Sequence, residues 1–431
     1  MLADIFPKSV NALSTINHGM YGRSPQAPTA RPPGTNQIKN PSPGAQPGGK
    51  TSSKDGKPVP FGFGAKVTGG GNATPQTPKN IAELQAWLTD KVPRVILINR
   101  VYDFTTSSGN VTAAACQPWK PCPNGLQVQT ARNYKDWCSR EKKVASNLQI
   151  SLQASALDPI KVSSHKTLLG VGAKAVLKGK GLILYKVQNV IVQNVHITWL
   201  NPQAVWGGDA LTLQGARNIW IDHCSFSNIG RQMIVSHGKS GDEANVGVTI
   251  SNNLFSGKTQ WSSRCNNMHY WTAFFTGAND EITMARNCID STSGRSPKTG
   301  GSGNPKVILH YYNNLHTNIQ GGVFQAGRGS DILAEGNVFK NVKTQNNGDA
   351  KTQDGGRTFV PFRDEDSNLC SAVLGRPCVA NVMLQSSNYN WGQVTQTVNI
   401  FKGRPEVVKA GVLPAAKIQN GVPGLCGTGQ I

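Results

Sequence analysis

Val190-Ile-Val-Gln-Asn-Val-His-Ile-Thr198 alternates apolar and polar residues as a half-buried strand does, and the design returns downstream. Asn218–Ser227, Gly247–Ser256, Ile282–Asp290, Val307–His316 and Asp331–Phe339 carry the same alternation. Matching positions fall at Asn194, His223, Asn253, Asn287, Asn314 and Asn337, spaced by 29, 30, 34, 27 and 23 residues. A period of about 20 to 50 residues marks a solenoid, a propeller or a repeat array. A propeller blade needs four strands in each longer period, and no WD or kelch signature is present. A β-helix coil needs only about three short strands joined by turns. A recurring side-chain amide at one corner suits such a coil, because it can bond both its own turn and the neighbouring coil. The fold class is therefore all-β, a parallel β-helix solenoid.

Outward from these repeats the chain changes character. Residues 1–60 hold ten of the 25 prolines and almost no aromatic residues, so they are expected to form a disordered basic extension. Folding signals begin at Phe61-Gly-Phe-Gly. A short helix is expected over Asn80–Lys91, with Asn80 as its cap and Ile81, Leu84 and Leu88 on one face. The folded domain is expected to span residues 61–415 and a tail residues 416–431.

The net charge is +21, and residues 61–431 alone carry 37 basic against 21 acidic residues, a net +16. No arginine-rich run, zinc-finger spacing or RNA-binding aromatic signature accompanies that charge, so an acidic polymer fits it as well as a nucleic acid does. No 18-residue apolar stretch is present, so no membrane-spanning helix is expected, and no apolar leader is readable in residues 1–30. Clustered cysteines at Cys116, Cys122 and Cys138, and at Cys370 and Cys378, suggest local staples made in an oxidising compartment. The sequons Asn72-Ala-Thr and Asn110-Val-Thr agree with export.

Four constellations carry chemistry: Trp206-Gly-Gly-Asp209, Trp220-Ile-Asp222-His223, Ile229-Gly-Arg231-Gln232 and Ser293-Gly-Arg295-Ser-Pro-Lys298. With His269-Tyr-Trp271 and Leu333-Ala-Glu-Gly-Asn-Val-Phe339 in the same order, the chain resembles the pectin lyases, the calcium-independent branch of the pectate lyase family. The resemblance covers roughly residues 61–415 and implies a right-handed parallel β-helix that cuts methyl-esterified pectin by β-elimination. It implies a catalytic set of Asp209, Arg231, Arg295 and Lys298, with Arg295 at the position of the base. It also implies a substrate cleft lined by Trp119, Trp137, Trp206, Tyr270 and Trp271. The implied disulfides are Cys116–Cys138, Cys122–Cys265 and Cys370–Cys378, which leaves Cys224 and Cys288 as buried thiols and Cys426 without a partner. Pectin is the expected partner, the protein is expected to be a secreted monomer, and neither cofactor nor metal is expected.

The residues themselves argue alongside. Eliminating across C4–C5 of a galacturonate means removing the C5 proton, α to the C6 carbonyl, and stabilising the enolate that forms. Calcium held by clustered carboxylates would serve a C6 carboxylate, but Asp209 stands among glycines and Arg231-Gln-Met-Ile-Val235 contains no acid. Arginine normally stays protonated, so Arg295 is either a base depressed by its cationic neighbours or a fixed cation that stabilises the enolate while water takes the proton. A polygalacturonase would need paired acids across the scissile bond, and no adjacent Asp pair lies in residues 190–339. A non-catalytic sugar-binding β-helix gives no reason to keep Arg231, Arg295 and Lys298 together. Asp222 and His223, lying within a strand repeat, are expected to be structural.

Overall fold

The computed structural model describes residues 58–140, 145–238, 241–343, 355–387, 391–421 and 426–431. All of the expected extension except its last three residues lies outside them. Among the described residues the chain winds through three parallel sheets, taking one strand of each per turn. One coil shows the scheme: Gln188–Gln193 in the first sheet, His196–Leu200 in the second and Leu211–Gln214 in the third. The first and second sheets each hold nine strands and the third holds seven.

Period-two alternation puts every second residue inside, and the parallel register stacks those residues into columns. Val190, Ile219, Val248, Ile282, Leu309 and Ile332 lie one above another, all fully buried. In the second sheet Ile197, Phe226, Phe255, Ile289, His316 and Phe339 do the same. Each such aliphatic or aromatic side chain contributes about 1.5–3 kcal/mol of transfer free energy.

The strands Val307–Tyr312 and Ser330–Glu335 are buried at every position rather than half-buried as their alternation suggests. Their outer face is covered by Phe63 and by the short-helical segments 364–374 and 395–408, which contribute Leu374, Val398, Phe401 and Val407. Threonine hydroxyls on the same sheet fasten the segment that follows Phe61: Thr283 accepts from Phe63 N and Thr249 from Gly64 N. The helix Ile81–Thr89 closes the first coils with Leu84 and Leu88, and Asn80 caps it by accepting from Glu83 N at 2.9 Å.

The turn from the first to the second sheet is two residues long in seven of the nine described coils. Its second residue forms an asparagine ladder: Asn253 N donates to Asn287 Oδ1, Asn287 N to Asn314, Asn314 N to Asn337 and Asn337 N to Asn381, at 2.8–3.0 Å. Asn194 and His223 do not belong to it, which corrects the register read from sequence. They occupy the preceding column with Asn252, Arg286 and Asn313, all at φ between 49° and 58°. Asparagine suits that column because it tolerates left-handed backbone, and the next because its amide bonds two coils at once. Two reasons for one residue at adjacent positions blurred the alignment. Asp222 is buried and fully engaged, accepting from Gln193, Ser251 and Asn252, with the His223 ring at 2.6 Å, as a structural pair would be.

Four disulfides are present: Cys116–Cys138, Cys122–Cys265, Cys370–Cys378 and Cys288–Cys426. The last overturns the expectation that Cys288 is a buried thiol and Cys426 unpaired. Cys288 stacks between Leu254 and Leu315 on the outer face of the second sheet, where the helix Ala415–Gly421 and Cys426 cover it. Alternation alone does not say which face of a strand looks outward. Beyond the bond the chain stays on the coil, with Gly427 N donating to Asn252 O and Gly429 N to Asn194 Oδ1. Cys224 is the free cysteine among the described residues and is buried.

Candidate active site

Connections from the second to the third sheet differ in length from coil to coil, and they carry the site. Asp209 ends one of them, Arg231 lies in the next, His269, Tyr270 and Trp271 in the one after, and Arg295 in the fourth, three residues before Lys298 opens its strand. Parallel pairing brings these coils into contact: Arg231 N donates to Gly208 O and Ala273 N to Arg295 O.

Arg231 Nη1 lies 3.1 Å from Asp209 Oδ2, while Asp209 Oδ1 accepts from Gln232 N at 2.8 Å. One carboxylate oxygen thus orients the guanidinium while the other is held by the backbone. That guanidinium stacks on Trp206 with 3.8 Å from its carbon to the ring centre, and Tyr134 stacks on the same indole at 5.1 Å. Arg132 in turn lies over Tyr134 at 5.5 Å, so two rings lie between two cations. Gly208 is required beside Asp209, because a Cβ there would stand 2.6 Å from Ala156 O at a φ of 143°.

Arg295 is fully buried and sits at a left-handed φ of 48°. Its guanidinium carbon is 4.6 Å from the ring centres of Trp271 and Phe274 and 5.9 Å from that of Tyr270. Burial pulls Arg295 from the ordinary 12.5 down to about 10; Tyr270 and Asp209 oppose that shift and the charge of Arg231 adds to it. Gly294 makes room for this packing, since a Cβ would come within 2.3 Å of the Tyr270 ring. Lys298 Nζ stands 5.7 Å from Phe274, the one ring of the three that is not buried. The expected quartet therefore divides into an ion pair, Asp209 with Arg231, and two cations that share Phe274.

The expected cleft residues divide as well. Trp206 and Trp119 are half-buried, and Trp206 faces Arg231. Trp137, Tyr270 and Trp271 are 2%, 5% and 0% exposed, buried in this structure rather than open to a cleft. A tryptophan beside a disulfide-bonded cysteine packs the base of the excursion 110–153, and Trp271 packs against Arg295 while donating from Nε1 to Gln129 at 3.2 Å. Sequence reasoning missed Gln129, Tyr134 and Phe274, and gave His269 no role. Gln129 ties the excursion to the site by also donating to Pro202 O and Gly230 O. His269 Nε2 lies 2.7 Å from Arg231 O, and burial pushes its imidazole down to about 4, so it stays neutral and donates to that carbonyl. His269 opens the His269-Tyr-Trp271 motif and Phe274 lies three residues beyond it, whereas Gln129 and Tyr134 lie in aperiodic sequence that offered no signal.

Among the described residues no three His, Cys, Asp or Glu side chains converge as a metal site would require. No described helix is long and apolar enough to cross a membrane.

A family model described as pectate lyase matches residues 139–404. The chain is 40% identical over 371 residues to a protein of Aspergillus clavatus named probable pectin lyase A, covering 86% of this chain and 93% of that one. It is 38% identical over 371 residues to pectin lyase B of Emericella nidulans, with the same coverage. The chain belongs to the pectin lyases of the pectate lyase family. It is a polysaccharide lyase. Among solved structures, a pectate lyase from Bacillus sp. N165 in complex with trigalacturonate matches 86% of this chain and 99% of that one, at a TM-score of 0.54 and 18% identity. A pectate lyase from Acidovorax avenae subsp. citrulli matches 92% and 99%, at a TM-score of 0.52 and 14% identity. Those likenesses speak for the fold, and the pectin lyase assignment rests on the closer fungal relatives.

Proposed function

We propose that this protein cleaves methyl-esterified α-1,4-galacturonan by β-elimination, outside the cell and as a monomer. The observation that carries the reading is Arg231, held by Asp209, together with the buried Arg295, whose proton affinity burial and the charge of Arg231 lower. The C5–H bond breaks, its electron pair becomes the C4–C5 double bond through an enolate at C6, and the C4–O bond opens with the leaving oxygen taking a proton. Arg231, oriented by Asp209, supplies fixed positive charge toward the C6 oxygen, and Lys298 adds to the same field. Arg295, held at about 10 by burial, is the base whose neutral form accepts the C5 proton. Because that guanidinium is sealed in this structure, substrate has to displace a covering ring, and Phe274 is the one not buried.

An ester suits this arrangement better than an acid. Its C5 proton is more acidic, and no carboxylate has to be desolvated. One carboxylate does not make a hard-cation cage. The four disulfides support an oxidising compartment, and Asn72 and Asn110 are exposed as glycosylation would require. Incubation with highly methylated pectin should give unsaturated product absorbing in the ultraviolet, at a rate that EDTA leaves intact. Loss of activity on chelation, or a preference for de-esterified polygalacturonate at every salt concentration, would overturn the reading.

A further inference from the structure

In most coils of the second sheet a residue with left-handed backbone stands at or next to the end of the strand, and these residues form a column of their own. Gly179, Asn228, Ser291, Asn318, Asn341 and Gln385 occupy it, at φ between 51° and 80°. Such backbone favours glycine and small polar residues. Trp199 stands in the same column at a φ of 60°. A bulky residue in that conformation is strained, and burial does not offset the strain here, because Trp199 is 40% exposed. Its ring meets the half-buried Trp261 edge-on, with centroids 6.2 Å apart and planes at 83°. That contact braces the Trp199 indole while much of the side chain stays exposed.

The loop that presents Trp261 is anchored by the Cys122–Cys265 disulfide and by Ser262 N donating to Gln127 O. Gln127 is two residues from Gln129, which holds Trp271 beside Arg295. The aromatic pair and the catalytic cluster are thus attached to one short stretch of chain, while Trp199 ends a strand of the second sheet and the catalytic cations belong to the approach to the third.

We propose that Trp199, braced by Trp261, is a sugar-stacking platform for a methyl-esterified galacturonan segment beyond the units held at the catalytic cluster. This rests on the reading of the protein as acting on that polymer. A galacto-configured ring gathers the hydrogens of C3, C4 and C5 on one face, and an esterified unit brings no charge to be desolvated against an indole.

The test is Trp199→Asn, which removes the ring yet matches the backbone preference of its column. In an Arg295→Ala background, tryptophan fluorescence titration should show binding of long methylated oligogalacturonates weakened by about five- to tenfold, with binding of a trimer unchanged. In the otherwise wild-type enzyme the KM for long pectin should rise by a similar factor at constant kcat, and Trp199→Phe should restore it. The Tm should hold or rise. Unchanged binding of long chains, equal loss on the trimer, or a Tm lowered by several degrees would each overturn the platform, the last by showing that the ring is packing. Absence of unsaturated product from the wild-type enzyme would instead overturn the pectin lyase reading, and that outcome is read separately from the binding titrations.

Discussion

Of the three crossings that each coil makes, two differ sharply. The one from the first sheet to the second takes two residues in most coils and is held by buried amides from Asn253 to Asn381. The crossing into the third sheet varies in length and content, and it gathers Asp209, Arg231, Arg295 and the rings around them. Regularity serves stability because each rung repeats a bond that already fits. Irregularity serves chemistry because unlike groups from different coils have to meet at one point.

The largest expected effect lies on the irregular side. Arg295→Ala should lower kcat by at least about 10²-fold when activity is expressed per folded molecule. Near-normal turnover would break the division at its centre. The pH profile sharpens it. If neutral Arg295 is the base, kcat/KM rises about tenfold per pH unit and levels near pH 10, where burial has placed its titration. If the cation is the working form, activity is flat and falls above that point.

On the regular side, Asn287→Ala should cost about 3–5 kcal/mol while kcat per folded molecule is kept. Asn287 Oδ1 accepts from both Asn253 N and Asn253 Nδ2, and its own amide donates to Ile250 O. Each orphaned group costs about 1–3 kcal/mol. Chemical denaturation reads this directly, and a loss below about 1 kcal/mol would mean that the ladder marks the fold without holding it.

His269 tests whether acid weakens the loop side. Its folded value of about 4 lies below the ordinary 6.5, so the unfolded chain binds more protons between those values. Stability from the neutral imidazole is therefore complete above about pH 6.5 and is lost as pH falls toward 4, a change on the order of 3 kcal/mol. His269→Gln keeps a donor for Arg231 O and should flatten that part of the Tm-against-pH curve. His316, pushed to about 3 inside the coil, contributes a similar slope that the variant leaves in place.

What the sequence made readable follows the same division. Coil spacing, strand alternation and the motif residues were visible because they repeat or because they cluster in short runs. The covered outer face of Val307–Tyr312 was not, since the covering segment lies far along the chain. Nor was the Cys288–Cys426 bond, which joins residues 138 apart through the facing of a single strand. Gln129 and Tyr134 reach the site by tertiary contact from an excursion without periodicity, so no local pattern pointed to them.

The smallest expected effect lies where the ladder stops. Register places Cys224 at the rung below Asn253, and Cys224 N donates to Asn253 Oδ1 at 2.8 Å as a rung should. Its sulfur points at Val192 O and Asp222 O, 3.4 Å from each. Asn314 and Asn337 send their amides to the corresponding carbonyls, Met284 and Tyr312 for one, Tyr311 and Glu335 for the other. Burial pushes the Cys224 thiol up to about 12, so it remains a neutral but weak donor in an amide's place. Cys224→Asn should therefore extend the ladder by one rung and stabilise by up to about 1 kcal/mol, the usual net worth of a hydrogen bond, with activity unchanged. The gain is bounded because the amide is bulkier than the thiol, and this interior gives way little. A raised Tm would show that the ladder's end is an accident of residue choice. A lowered one would show that packing around Val192 sets it, and the regular half of each coil would then be limited by volume rather than by hydrogen bonds.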